Sequence, residues 1–307
     1  MRNTFIERLT DAAETDSRIF LLCGDLGYSV LEAFAERHPD RFVNVGVAEQ
    51  NMVGIAAGLA LSGYKVFTYS IVNFAVTRCL EQIRNDVCYH ELDVTVVAVG
   101  GGFAYGAQGY SHHGSEDVGF TRMLPGMHVA VPADAAEAAA AADYMLARKG
   151  PGYVRLARGR EPQLHRAEID ELASFHRLDE REGAVLILAS GPVAGEALTA
   201  ANLLFEAGIN ASAVSTPIIK PFDVDAFCAL LNGTSLVVTV EEHVTFGGLG
   251  STVAETLADA GASVPLLRLG IDHKNRTIVG SQDYLRNING INGHAIAARI
   301  RAKLEER

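Results

Sequence analysis

Three segments carry residues whose types and spacing could do chemistry. In Val45-Gly46-Val47-Ala48-Glu49-Gln50-Asn51-Met52 a carboxylate falls where a strand pattern ends and a helix pattern begins. A carboxyl group there can move protons, and it can equally complement the positive end of a helix dipole. The run from Gly100-Gly101-Gly102 to Asp117 adds Gly106, Gly109, Gly114 and the pair His112-His113. Glycines at this density let a backbone pass close to a ligand. No GKS or GKT follows them and the spacing fails GxGxxG, so neither nucleotide-binding loop is present. Adjacent loop histidines lack metal spacing; they suit hydrogen bonds to solvent, to protein or to a substrate. The third segment, Tyr69-Ser70-Ile71-Val72-Asn73-Phe74, sets aromatic residues at a strand-to-helix turn. There they can stack on a planar ligand or fill a core.

All three segments follow strand patterns. A helix is expected over residues 2–14, a buried strand over 18–23, a short strand over 43–45 and a helix over 49–61. Gly54 and Gly58 share one face of that helix and would allow close packing. A strand over 66–69 and a single helix over 74–89 follow. Val94 to Val99 is the continuous apolar run typical of a parallel strand. A short helix over 117–124, a strand over 128–131 and an Ala-rich helix capped by Asp134 come next, closed by a strand over 153–156. Residues 159–182 turn polar and lose periodicity, as a linker does. A second β-α series starts near Val185 with the strands VLILAS, ASAVST, LVVTV and PLLRL. The fold class is therefore α/β, with two doubly wound domains of mainly parallel sheet, residues 1–158 and 183–307. Ligands of such sheets collect at the carboxyl ends of the strands.

Composition narrows the function classes. The chain has 307 residues, 49% hydrophobic and 21% charged, which is the profile of a soluble globular protein. A net charge of -11 opposes nucleic acid and anionic membranes. No apolar run approaches the ~20 residues of a membrane span. Cys23, Cys79, Cys88 and Cys228 show neither CxxC nor metal-ligand spacing and are expected as free thiols in a cytoplasmic protein.

In this order and with these gaps, the segments resemble thiamine-diphosphate-dependent transketolases. RFVNVGVAEQNMVGIAAGLA resembles the block that carries the family's glutamate, and the stretch from Gly106 to Asp117 with RMLPGMHVAVPAD resembles the donor-site loop and the strand after it. PIIKPFD, VVTVEEH and FGGLGS resemble the family's C-terminal domain, where the role is dimer contact and support. The resemblance implies a role for each residue. Glu49 would bond N1′ of the cofactor's aminopyrimidine and promote loss of the thiazolium C2 proton. Tyr69 would stack on the pyrimidine, Val72 and Phe74 would line its pocket, and Asp25 would lie near the cofactor at a subunit interface. Arg2, Ser29 and Arg158 would bind a sugar phosphate, and His112 the donor's oxygens near the reacting carbon. Gln108 stands where the family has an aspartate that reads the donor's C2 hydroxyl, and Gly100 where it has a further histidine, so the stereochemical preference is open.

Full-length members hold Mg2+ and the diphosphate through a GDG motif and a downstream Asn in an N-terminal domain. This sequence has no GDG. The resemblance therefore implies a diphosphate-binding partner subunit carrying that motif, an α2β2 assembly in which this chain also associates with itself, and inactivity of this chain alone. Three enzyme readings stay open: a transketolase subunit, a deoxyxylulose-phosphate-synthase-like or acetoin-type carboligase, and the β subunit of a 2-oxoacid dehydrogenase. A non-catalytic subunit that keeps the fold is the alternative of a different class.

Overall fold

The computed structural model describes residues 1–159 and 161–306. The first domain runs α1 (Arg2–Thr15), β1 (Ile19–Cys23), α2 (Glu32–Arg37), β2 (Phe42–Asn44), α3 (Glu49–Leu61), β3 (Lys65–Ile71), α4 (Val72–Ala75), α5 (Leu80–Gln82), β4 (Val94–Val99), α6 (Asp117–Met123), β5 (His128–Ala130), α7 (Ala135–Ala147) and β6 (Gly152–Leu156). The rest runs β7 (His176–Arg177), β8 (Val185–Ser190), α8 (Ala194–Glu206), β9 (Ala211–Ser215), β10 (Ile218–Lys220), α9 (Val224–Leu230), β11 (Leu236–Val244), α10 (Leu249–Asp259), β12 (Leu266–Ile271), α11 (Gln282–Ile288) and α12 (Gly293–Glu305).

The sheets have the orders β10-β5-β6-β4-β3-β1-β2 and β12-β11-β8-β9-β7. Every pairing is parallel except β10 with β5 and β7 with β9. The strands are apolar on both faces because helices cover both, and alternate residues still divide cleanly. Phe20 and Leu22 join Met52, Val53 and Ala56 of α3 in one core. Ile19, Leu21 and Cys23 join Phe5, Ile6 and Leu9 of α1 in the other. Each fully buried aliphatic side chain contributes about 1.5–3 kcal/mol. Sheet two repeats the arrangement, with Ile187 and Ala189 against Ala197, Ala201 and Ile300.

Three expectations are corrected by long-range packing. Residues 74–89 do not form one helix: α4 ends at Ala75, α5 starts at Leu80, and a π-helical turn covers Ile83–Cys88. The Arg78 amide reaches back to Asn73 O at 3.2 Å, and the Gln50 amide group donates to Arg78 O at 3.0 Å. The contact to Gln50 of α3 diverts the chain from a continuous helix. Residues 218–220, inside the second βα series, return to the first sheet as its antiparallel edge strand. Residues 176–177, inside the expected linker, form β7 on the second sheet; Arg160 of that segment lies outside the described residues. Among the described residues a Cβ at Gly54 or Gly58 meets no atom within 4 Å, so the face those two glycines share is open. The Asp134 cap is present, accepting from Glu137 N at 3.0 Å. The four cysteines are free. Among the described residues no helix is long and apolar enough to cross a membrane.

Candidate functional site

The loops after β1, β2, β3, β4 and β6 converge at the carboxyl edge of the first sheet. Glu49, the first residue of α3, is 1% exposed although charged. Burying an unpaired carboxylate is costly, so its partners matter. Ser70 Oγ donates to Glu49 Oε1 at 3.3 Å and Arg78 Nη1 donates to Oε2 at 2.6 Å. Gly24 makes room, because a Cβ there would press on Glu49 Cγ at 3.3 Å. Asn44 ties this loop to the neighbouring one. Its Oδ1 accepts from Asp25 N and Gly46 N, each at 3.0 Å, while its Nδ2 donates to Asp25 Oδ1 at 3.1 Å. Asp25 is exposed and held at φ 55°, a region that few non-glycine residues adopt.

The Arg78 guanidinium lies over the Phe74 ring, 4.4 Å from its centroid. Asn73, Phe74, Thr77, Arg78, Tyr110 and Ser111 line a cleft of about 520 Å³. Val72 is fully buried behind it. Burial pushes the neighbouring Cys79 thiol up to about 12, and the Glu49 charge adds to the effect. That thiol stays protonated and is no nucleophile.

Tyr69 does not join this cleft. Strand alternation sends Ser70 toward Glu49 and Tyr69 to the opposite face, among Phe5, Phe67 and Leu31. It is 1% exposed, burial raises its hydroxyl pKa, and Arg2 beside it partly offsets that rise. The expectation that Tyr69 stacks on a cofactor ring is corrected for this reason: both its faces are enclosed by the chain. Phe74 is the aromatic that accompanies Glu49.

A second cleft of about 520 Å³ is lined by Tyr105, Gln108 and Arg158 from the first domain and by Ser281 and Gln282 from the second. The Arg158 guanidinium sits 4.8 Å from the Tyr105 ring centroid. Arg2 lies against Tyr69 and does not line that cleft. Ser29 lines a different groove, with Asn3, Glu7 and Glu32, and its backbone N–H donates to Glu32 Oε1 at 2.7 Å. The expected set Arg2, Ser29 and Arg158 is thus not gathered around one cavity. His112 stands between the two clefts, its ring edge-on to Phe74 at 5.2 Å and to Tyr105 at 6.1 Å. His113 is buried and bonds Gly106 O at 3.0 Å, so it fixes the loop.

Sequence reasoning missed what supports the Gly-rich loop. Buried Arg155 pairs with buried Asp117 at 3.2 Å, donates to Gly114 O, and donates to Glu242 O of the second domain at 2.8 Å. Tyr153 OH also donates to Asp117. The available signal was a lone arginine in the otherwise apolar strand GYVRL, since a charge in a buried strand needs a partner. Arg78 gave a weaker signal, four residues after Phe74 in a segment read as one helix.

The Glu241-Glu242-His243 motif supports the fold. Glu241 accepts from Leu249 N and Gly250 N at 2.8 Å each, and so fills the anion position at the start of α10 that a nucleotide phosphate would need. Glu242 pairs with Arg286 at 3.0 Å beneath Gly102, whose φ of 62° and missing Cβ admit it. His243 Nε2 accepts from Gly119 N of the first domain at 3.2 Å.

Comparison with known proteins agrees with this division. Residues 1–162 match the transketolase pyrimidine-binding domain and residues 176–294 the transketolase C-terminal domain. The chain is 38% identical over 298 residues to the 6-deoxy-6-sulfo-D-fructose transketolase subunit SqwH of a Clostridium species, covering 96% of this chain and 92% of that protein. It is 37% identical to one subunit of the apulose-4-phosphate transketolase of Phocaeicola vulgatus, covering 89% and 88%. A split-gene transketolase solved as an inactive β4 tetramer superposes with a TM-score of 0.86 at 34% identity, over 98% of this chain and 96% of that one. A pyrimidine-binding domain followed by a C-terminal domain, over nearly the full length of such subunits, makes this chain a member of the transketolase family, a subunit of a ketol-transferring enzyme.

Proposed function

We propose that this chain binds the aminopyrimidine ring of thiamine diphosphate beside Glu49 and, with a separate diphosphate-binding subunit, moves a two-carbon ketol unit between phosphorylated sugars. The observation that carries the reading is the buried Glu49 carboxylate, held by the Ser70 hydroxyl and the Arg78 guanidinium, next to a cleft walled by Phe74 and Arg78. A buried acid, a flat aromatic face and a cleft of about 520 Å³ fit a small planar ring with a basic nitrogen. When bound, the cofactor supplies a carbon nucleophile and an electron sink for the ketose carbonyl.

The chain's own residues do the rest. Glu49 shares a proton with ring N1′, and Ser70 keeps its carboxylate aimed. Phe74 gives the stacking face and Val72 the wall behind it. His112, between the two clefts, bonds the sugar's oxygens near the reacting carbon. Arg158 anchors a phosphate by charge-assisted bonds, with Gln108 on the wall of its cleft; Arg2 and Ser29 belong to this set by resemblance. Asp25 serves the cofactor side of the interface. Mg2+ and its ligands come with the GDG-bearing partner, in an α2β2 assembly. We assign the complex to the cytoplasm, in keeping with the four free thiols.

The test is reconstitution. The purified chain should show no ketol transfer from hydroxypyruvate to a sugar phosphate, and adding the partner with thiamine diphosphate and Mg2+ should restore it. Full activity of the chain alone overturns the reading.

A further inference from the structure

Arg78 meets Glu49 and Phe74 at once. Its guanidinium donates to the carboxylate at 2.6 Å and lies 4.4 Å from the aromatic centroid. A hydrogen bond to Glu49 and a stack on the adjacent aromatic are the two contacts that the proposed function gives to the aminopyrimidine ring. A guanidinium is planar, cationic and rich in N–H donors, so it reproduces both. The same space cannot hold both groups.

We propose that Arg78 is a placeholder: in the cofactor-free chain its guanidinium occupies the pyrimidine position, keeps buried Glu49 paired, and is displaced when the ring enters. This inference rests on the proposed cofactor reading. Two features make the exchange possible. The backbone at Arg78 is pinned by Gln50, which donates to its carbonyl at 3.0 Å, so only the side chain has to swing. That side chain is 42% exposed while Glu49 is 1% exposed, so the arginine has an open path and the acid has none. Glu116 borders the same cleft and offers a carboxylate for the displaced guanidinium. The pairing also explains the interrupted helix. Breaking it between Ala75 and Leu80 turns Arg78 onto α3, toward the consecutive residues Glu49 and Gln50.

The experiment titrates thiamine diphosphate with Mg2+ into the reconstituted pair by calorimetry, using wild type, Arg78→Ala, Arg78→Gln and Glu49→Gln. Removing a competitor that fills the site most of the time tightens apparent binding by the inverse of the free fraction, roughly tenfold or more. Arg78→Ala should therefore bind tighter, and its cofactor-free form should melt lower because Glu49 is left buried and unpaired. Arg78→Gln keeps a donor for Glu49 without the charge, guards against misfolding, and should also bind tighter than wild type. In a Glu49→Gln background the gain from Arg78→Ala should shrink. Weaker or unchanged binding by both arginine variants overturns the placeholder. Failure of the wild-type pair to bind the cofactor at all overturns the functional reading itself, a distinct result.

Discussion

Glu49 and Glu241 are both 1% exposed and both lie toward the carboxyl edge of a mainly parallel sheet; Glu49 opens α3, while Glu241 lies within β11 and its carboxylate reaches the start of α10. They differ in what holds them. Glu241 accepts two main-chain N–H bonds at 2.8 Å from the first turn of α10. Burial raises its pKa while His243 and those N–H groups pull the other way. Its partners cannot leave unless the helix unwinds. Glu49 is held by a hydroxyl and a guanidinium, and the guanidinium can rotate away. An acid fastened by backbone is committed to the fold; one fastened by side chains can change partners. Both carboxylates meet the start of a helix, so the identity of the partners separates the one held by side chains from the one held by backbone.

The largest effect should come from Glu49→Gln. Loss of a positioned acid–base group costs roughly 10² to 10⁴ in rate. In the reconstituted pair, hydrogen–deuterium exchange at the cofactor's C2 should slow by that order while the melting temperature stays close to wild type. Exchange at the wild-type rate would erase the contrast between the two glutamates.

Next in size is Arg158→Ala. Truncating a charged group that holds a ligand in a partly buried site costs about 2–5 kcal/mol. The loss should fall on kcat/KM for phosphorylated sugars and spare their unphosphorylated analogues, because the phosphate lies far from the reacting carbon. Equal losses on both would move Arg158 to the structural side of the comparison, with its stack on Tyr105 as its whole role.

Glu241→Gln should cost less, about 1.5–3 kcal/mol of stability, the worth of hydrogen bonds to a charged group. Denaturant midpoints should fall while kcat/KM per folded molecule holds. A rate loss without a stability loss would put chemistry in the second domain and break the distinction.

How much of this was legible in the sequence depended on range. The helix over 49–61 and the strand over 94–99 come from local periodicity and lie where expected. The edge strand 218–220 was invisible because its partner, β5, is almost ninety residues earlier. Tyr69 and Ser70 are instructive: their alternation was plain, but only the packing of α3 decides which of them faces Glu49. The Glu49–Arg78 pair goes with a break in a helical pattern, where Glu49 and Gln50 of another element both hold Arg78.

A third buried acid extends the comparison to a partner that titrates. Glu137 accepts from Ala133 N at 2.7 Å and faces His165 across 3.8 Å, beneath the segment joining the domains. Asp134 holds the same histidine at 3.1 Å and the backbone N–H groups of Leu164 and His165. Burial pushes the Glu137 carboxyl up to about 7, and the Asp134 bond raises His165. A group whose pKa is raised on folding gives stability that is fully present below its unfolded pKa and lost as pH rises through the folded one. Glu137 therefore makes the chain less stable as pH climbs from the ordinary carboxyl value of 4.5 through about 7, and His165 does so as pH climbs above 6.5, the ordinary histidine value. His128, lowered to about 4 by burial, and His176, also lowered by burial, act with the opposite sign, and only as pH falls below that same value. Melting temperatures measured at pH 6.5 and 8 should thus fall for wild type, and the fall should be smaller in His165→Gln, which keeps a donor but no titrating ring. An equal fall in both would show that the segment over α7 is held by the Asp134 cap alone, as α10 is held by Glu241, with no contribution from histidine protonation.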